Sequence, residues 1–115
     1  MKVTILHNPR CSKSRQALQL LNDRGIEPEI VAYLKTPPDR AELGRILDLL
    51  GLEPRDIMRR KEPVYRDLGL DDPTLGREAL IAAMVENPIL IERPIALADG
   101  KAVLGRPPEK VLDIL

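Results

Sequence analysis

The residues with the clearest chemical potential lie in one short stretch, His7-Asn8-Pro9-Arg10-Cys11-Ser12-Lys13-Ser14-Arg15, which holds the chain's one cysteine. A thiol at or just before the first turn of a helix faces backbone N–H groups that have no intrahelical partner, and the positive end of the helix dipole. Both favour the thiolate, the nucleophilic form, whereas an ordinary thiol is mostly protonated at neutral pH. His7, Arg10, Lys13 and Arg15 add positive or protonatable groups close in sequence, and Ser14 puts a hydroxyl over the same turn. The same N–H groups would cradle a tetrahedral oxyanion. Cysteine is also among the most buried residue types, and a small buried hydrophobe is the competing reading of Cys11. The polar flanks Arg10, Ser12 and Lys13 favour the reactive thiol. For His7 alone, a hydrogen-bonded structural group is the default, and Lys13 and Arg15 read by default as a solvated helix face.

Three arginines form a second set. Arg59, Arg93 and Arg106 each fall near a predicted element boundary; Arg93 precedes Pro94, and Arg106 stands between Gly105 and two prolines. Guanidinium groups bind tetrahedral oxyanions through paired hydrogen bonds and keep their charge. By composition alone they are three among many basic residues.

The elements that must position these groups follow from periodicity. Val3, Ile5 and Leu6 mark a first strand, and Asn8-Pro9 a turn. Ala17, Leu18 and Leu21 recur at helical spacing up to Gly25. Glu29–Leu34 reads as a second strand, so this strand–helix–strand unit implies a parallel pair. Asp39-x-x-Glu42 is a capping-box pattern that opens a helix with Leu43, Ile46, Leu47 and Leu50 on one face. Short helices are predicted from Pro54 and from Pro63, and a longer one over 78–86 that stops at Asn87-Pro88. Asp99-Gly100 is a strong hairpin signal between strands over 95–97 and 102–104. A last helix is predicted from Pro107-Pro108, with Val111, Leu112 and Leu115 as its apolar residues. The order is β-α-β, a helical insertion over about 37–88, then β-β-α: an α/β chain with a mixed four-stranded sheet.

Composition bounds the function. At 115 residues the chain is the size of a single domain, 1–115. Lys plus Arg and Asp plus Glu are both 18, so bulk charge gives no attraction to nucleic acid or anionic membrane. With no Trp or Phe and two Tyr, a base-stacking surface is not expected and the core must be aliphatic. No apolar run approaches the roughly 20 residues of a membrane span, and no secretory leader is visible, so the expected compartment is the cytoplasm. A single cysteine excludes an internal disulfide framework, a cysteine-based zinc site and a self-contained dithiol couple. No metal and no bound cofactor are expected.

The stretch His7-Asn8-Pro9-x-Cys11-x-x-Ser14-Arg15, with Glu92-Arg93-Pro94-Ile95 and Gly105-Arg106-Pro107, resembles the glutaredoxin-dependent arsenate reductase family (ArsC-like). Within it, the short bacterial YfgD-like branch is the nearest match. The resemblance covers nearly the whole chain, with three separated motifs in order. It implies a thioredoxin-like fold with a helical insertion. It implies that Cys11 is the nucleophile and that His7 lies near the thiol and favours the thiolate. Arg59, Arg93 and Arg106 would line the oxyanion site, and Asn8, Ser14 and Arg15 would support the cysteine loop. Pro94 would match the cis-proline of that fold. The implied reaction is reduction of arsenate to arsenite, with glutathione as external reductant and glutaredoxin as partner. Two other readings remain open: a glutathione-dependent thiol transferase acting on another substrate, and an Spx-like regulatory module. Regulators of that type commonly carry Cys-x-x-Cys and lack the arginine matching Arg106. Ser14 in the fourth position and the presence of Arg106 favour the reductase.

Overall fold

The computed structural model describes residues 2–115. The chain forms two compact units, one from the N-terminal segment through Thr36 together with Arg93–Leu115, the other from Pro37–Glu92.

The first unit is built on a four-stranded sheet. Its strands are β1 (Val3–Leu6), β2 (Glu29–Val31), β3 (Ile95–Ala98) and β4 (Lys101–Leu104), in the order β2-β1-β3-β4. β1 pairs parallel with β2, as the right-handed crossover through α1 (Ser12–Asp23) requires. β1 pairs antiparallel with β3, and β3 with β4. This is the mixed sheet of a thioredoxin-like fold. The β3–β4 hairpin closes through two residues, Asp99 (φ 47°) and Gly100 (φ 75°). Positive φ at both central positions is what a two-residue turn needs to match the strand twist, and Asp-Gly meets it with little strain.

The core of this unit is aliphatic. Val3 and Ile5 of β1, Ala17 and Leu21 of α1, and Ala96 and Ala98 of β3 form one buried cluster with Val111 and Ile114. The C-terminal segment Pro108–Ile114 is a 3₁₀ helix rather than the expected α-helix. Three residues per turn stack Pro108, Val111 and Ile114 on one face, and those are its buried residues. Leu112 is partly buried and Leu115 is exposed, so the apolar spacing that governs here is three.

β2 is also shorter than its apolar run. The His7 N–H donates to the Val31 carbonyl (2.9 Å), after which β1 turns away at Asn8-Pro9. Beyond Val31 the chain folds back, and the Ala32 carbonyl accepts from the N–H groups of Lys35 and Thr36 (2.9 Å each). A strand ends where its ladder ends, whatever its own propensity.

The second unit is helical. Asp39 caps α2 (Arg40–Leu50) by accepting from the Glu42 N–H at 2.8 Å. After a 3₁₀ turn at Pro54–Ile57 come α3 (Pro63–Asp67) and α4 (Arg77–Glu86). A two-way backbone bridge joins Met58 to Ile91: Arg59 N–H donates to the Leu90 carbonyl (2.8 Å) and Glu92 N–H to the Ile57 carbonyl (2.7 Å). Among the described residues no helix is long and apolar enough to cross a membrane.

Leu21 is fully buried at the centre of the aliphatic cluster. Replacing it with Ala removes buried methyl groups and leaves a cavity, so Leu21→Ala is expected to lower unfolding free energy by about 2–5 kcal/mol in a urea titration. A loss well under about 1 kcal/mol would show that this cluster does not hold the unit together.

Candidate functional site

Cys11 is the N-cap of α1, with extended backbone angles (φ −93°, ψ 122°) and its carbonyl accepting from the Arg15 N–H at 3.0 Å. An N-cap side chain reaches the N–H groups two and three residues on. Here these belong to Lys13 and Ser14, and both face the thiol sulfur. The sulfur makes no capping hydrogen bond of the Ser or Asp kind, but it lies where these two N–H groups favour its anion. No acidic residue occupies the first turn, so no carboxylate competes for the positive helix end.

The thiol is nearly buried, at 8% exposure. Burial is the largest single influence on it and raises its pKa. The opposing influences together outweigh burial: the Ser14 N–H, the charge of Arg93, the Lys13 N–H and a hydrogen bond from the Arg93 guanidinium. The net result is a thiol pKa below the ordinary value. Cys11 is therefore buried, with its pKa held below the ordinary thiol value by fixed donors.

The loop before Cys11 is clasped from α1. The buried Ser14 hydroxyl accepts from the Asn8 N–H (3.1 Å) and lies 2.6 Å from His7 Nδ1. Since Oγ already accepts from Asn8, Ser14 is free to donate its proton to Nδ1, which places the imidazole hydrogen on Nε2. Arg15 donates from Nη1 to the Pro9 carbonyl (2.8 Å), Arg10 N–H donates to Asn8 Oδ1 (3.0 Å), and Cys11 N–H to the Asn8 carbonyl (3.0 Å). Asn8, Ser14 and Arg15 thus hold the loop.

His7 has its hydrogen-bond contact with Ser14. Burial first, and the nearby Arg15 charge second, lower its pKa, so the imidazole is uncharged at neutral pH. It is not among the groups that lower the Cys11 pKa. The Ser14 residue it contacts also presents its backbone N–H to the sulfur.

The arginines of the first unit are set by the hairpin. Its register pairs Ile95 with Leu104. Carried outward, the same register sets Pro94 against Gly105 and Arg93 against Arg106. The Gly105 N–H donates to the Pro94 carbonyl (2.8 Å), and Arg106 Nε to the Arg93 carbonyl (3.0 Å). The Arg93–Pro94 and Arg106–Pro107 peptide bonds are both cis. A Cβ on Gly105 would lie 2.8 Å from Pro94 Cγ and 2.9 Å from Val111 Cγ1, closer than side chains tolerate. Glycine is needed there for space.

Arg59 belongs to the second unit. Its Nη1 lies 2.7 Å from Glu62 Oε1 and its Nε 3.9 Å from Glu92 Oε1, with the side chain 28% exposed. The Glu62 partner was visible in the i,i+3 spacing of Arg59-x-x-Glu62 but not in the reading of Arg59 as an anion ligand. Gly105 was likewise missed as a positioning residue, although its place just before Arg106-Pro107 pointed to it. Among the described residues no group of His, Cys, Asp and Glu is arranged to hold a metal ion.

The fold and this site define a thioredoxin-like protein whose one thiol caps a helix and faces an arginine from a neighbouring hairpin. The chain belongs to the ArsC family, which it matches over residues 6–114. It is 56% identical over 115 residues to YfgD of Escherichia coli (strain K12), covering 99% of this chain and 97% of that one. It is 53% identical over 115 residues to a Neisseria meningitidis (serogroup A) protein named arsenate reductase, covering 99% and 98% respectively. Among solved structures, an arsenate reductase from Vibrio cholerae superposes with a TM-score of 0.97 at 53% identity, covering 100% of this chain and 98% of that one.

The thiol's environment makes a direct expectation. The midpoint of Cys11 alkylation by iodoacetamide against pH should lie below that of a free thiol, so reactivity persists to lower pH. Arg93→Gln should move it upward, because burial is then less opposed. Gly105→Ala should move it in the same direction by displacing the Pro94 segment that carries Arg93. An unchanged midpoint in Arg93→Gln would show that the guanidinium does not act on the sulfur.

Proposed function

We propose that the chain is an arsenate reductase that reduces arsenate to arsenite through the Cys11 thiolate, with glutathione and glutaredoxin as the source of electrons. The observation that carries this reading is the placement of one activated thiol at a helix N-terminus, facing Ser14 and Lys13 N–H groups and the Arg93 guanidinium. Relatives named arsenate reductase support the choice of oxyanion.

The oxyanion sits against the helix end, with Arg93 and Arg106 as its cationic partners. These fixed donors favour the charge that develops on the arsenate oxygens as sulfur attacks. The thiolate forms an S–As bond, and one arsenate oxygen, with two protons, leaves as water. Arsenic is still pentavalent at this stage. An external thiol then joins Cys11 in a mixed disulfide; the two sulfurs give up two electrons, arsenic takes them, and arsenite leaves. A second external thiol exchanges with the mixed disulfide and restores Cys11. The sum is one arsenate and two thiols converted to arsenite, a disulfide and water. With one cysteine in the chain, both consumed thiols come from outside. Phosphate matches arsenate in shape and charge and competes for the site without being reduced.

Coupled arsenate reduction with glutathione and glutaredoxin tests the reading. Cys11→Ser should bring turnover to background while the thermal transition persists, and retained turnover would exclude the mechanism. Arg106→Ala should raise KM for arsenate by about ten-fold or more, the scale of a lost charge-assisted hydrogen bond. Indifference to Arg106→Ala together with activity on mixed disulfides would favour a thiol transferase.

A further inference from the structure

A groove of about 380 Å³ lies beside the Cys11 loop, lined by His7, Asn8, Pro9 and Arg10 on one side and Ala32, Leu34 and Lys35 on the other. It opens beyond the carboxyl ends of the parallel strands β1 and β2, where ligands of open α/β sheets commonly bind. Its volume is at the small end of the range for small-molecule sites. Two features give it chemical character. Leu34 is 42% exposed, a large apolar side chain left uncovered in the groove. Arg10 and Lys35 are exposed, and among the described residues neither side chain has an acidic partner. The wall that carries Arg10 is fixed by the Asn8, Arg15 and Cys11 hydrogen bonds described above. The groove therefore combines an apolar side chain with two exposed cations, and Arg10 is the chain neighbour of the nucleophile.

We propose that this groove receives the external thiol as a small, carboxylate-bearing thiol of tripeptide size, with Arg10 and Lys35 holding its carboxylates and Leu34 its backbone. This rests on the reading of Cys11 as a thiol that needs an outside partner. Charge selects this occupant: two uncompensated cations suit a dianionic peptide better than a neutral thiol, and the narrow volume suits a small molecule. Binding there would hold the incoming thiol beside the loop that leads into Cys11. In thiol–disulfide exchange the incoming thiolate forms an S–S bond with the Cys11 sulfur, and the old partner leaves as its own thiolate.

The test needs no arsenate. Cys11 is converted to its mixed disulfide with uncharged dipyridyl disulfide, and release of thiopyridone is followed with glutathione and, separately, with 2-mercaptoethanol. The readout is the ratio of the two rate constants, each corrected for its thiolate fraction. In Arg10→Gln/Lys35→Gln this ratio should fall by about five- to ten-fold relative to wild type, the scale of two exposed ion pairs. The double change Lys101→Gln/Lys110→Gln removes the same net charge away from the groove and should leave the ratio as in wild type. An unchanged ratio in the groove variant, or an equal fall in both variants, overturns the proposal. Arsenate reduction by the wild type is assayed in parallel. A lost ratio in a protein that does not reduce arsenate supports the groove and rejects the arsenate reading, whereas arsenate turnover with an unchanged ratio rejects the groove alone.

Discussion

Burying a thiol works against ionising it, and the arrangement around Cys11 follows from that constraint. With the Cys11 residue only 8% exposed, its anion is deprived of much of the water that would stabilise it. The replacements are fixed donors: two N–H groups from the first turn of α1 and a guanidinium from the segment before β3. These come from elements far apart in sequence, so the thiolate depends on both being held at once. The aliphatic cluster does this, since Ala17 and Leu21 of α1 pack in the same core as Ala96 and Ala98 of β3. The chemistry of the thiol therefore rests on an apolar core with no polar atom in its side chains. Preorganised donors also cost no rearrangement at the moment charge moves.

A second consequence concerns His7. A protonated imidazole beside a thiol is one simple way to hold its anion. Here it would place a buried positive charge near Arg15 and remove the acceptor of the Ser14 hydroxyl. The neutral ring instead ties the end of β1 to the start of α1 through Ser14, which also accepts from Asn8. The positive charge is supplied by an arginine, which stays charged over the pH range in which a histidine titrates.

Much of this was legible in the chain because it is local or follows from simple register. The Asp39 cap, the Asp99-Gly100 turn and the strand–helix–strand unit all depend on neighbours in sequence. The hairpin is the most informative case: a two-residue turn fixes the register, and the register alone carries Arg93 to Arg106 and Pro94 to Gly105. What could not be read depends on distant partners. β2 ends at Val31 because β1 turns away, not because Tyr33 or Leu34 disfavours a strand. The last helix is 3₁₀ because burial selects Pro108, Val111 and Ile114, whereas Leu112 and Leu115 suggested an α-helical face. The contact of Arg59 with Glu92 joins residues far apart in the chain, and the lowered His7 pKa depends on burial.

The zero net charge of the chain now has a physical meaning for selectivity. Net charge acts over distances that salt screens within about 8 Å at physiological ionic strength. A balanced chain offers little long-range steering, so an oxyanion must be chosen by contact with the helix end and the arginines. Contact alone does not separate arsenate from phosphate, which present the same tetrahedral charge to the same donors. On the proposed reading, discrimination lies in the step after binding. A thiol can deliver two electrons to pentavalent arsenic and not to phosphorus, so both anions bind and only one is transformed. A single cysteine is suited to this, because it commits to a covalent adduct that only a reducible centre can resolve with an incoming thiol.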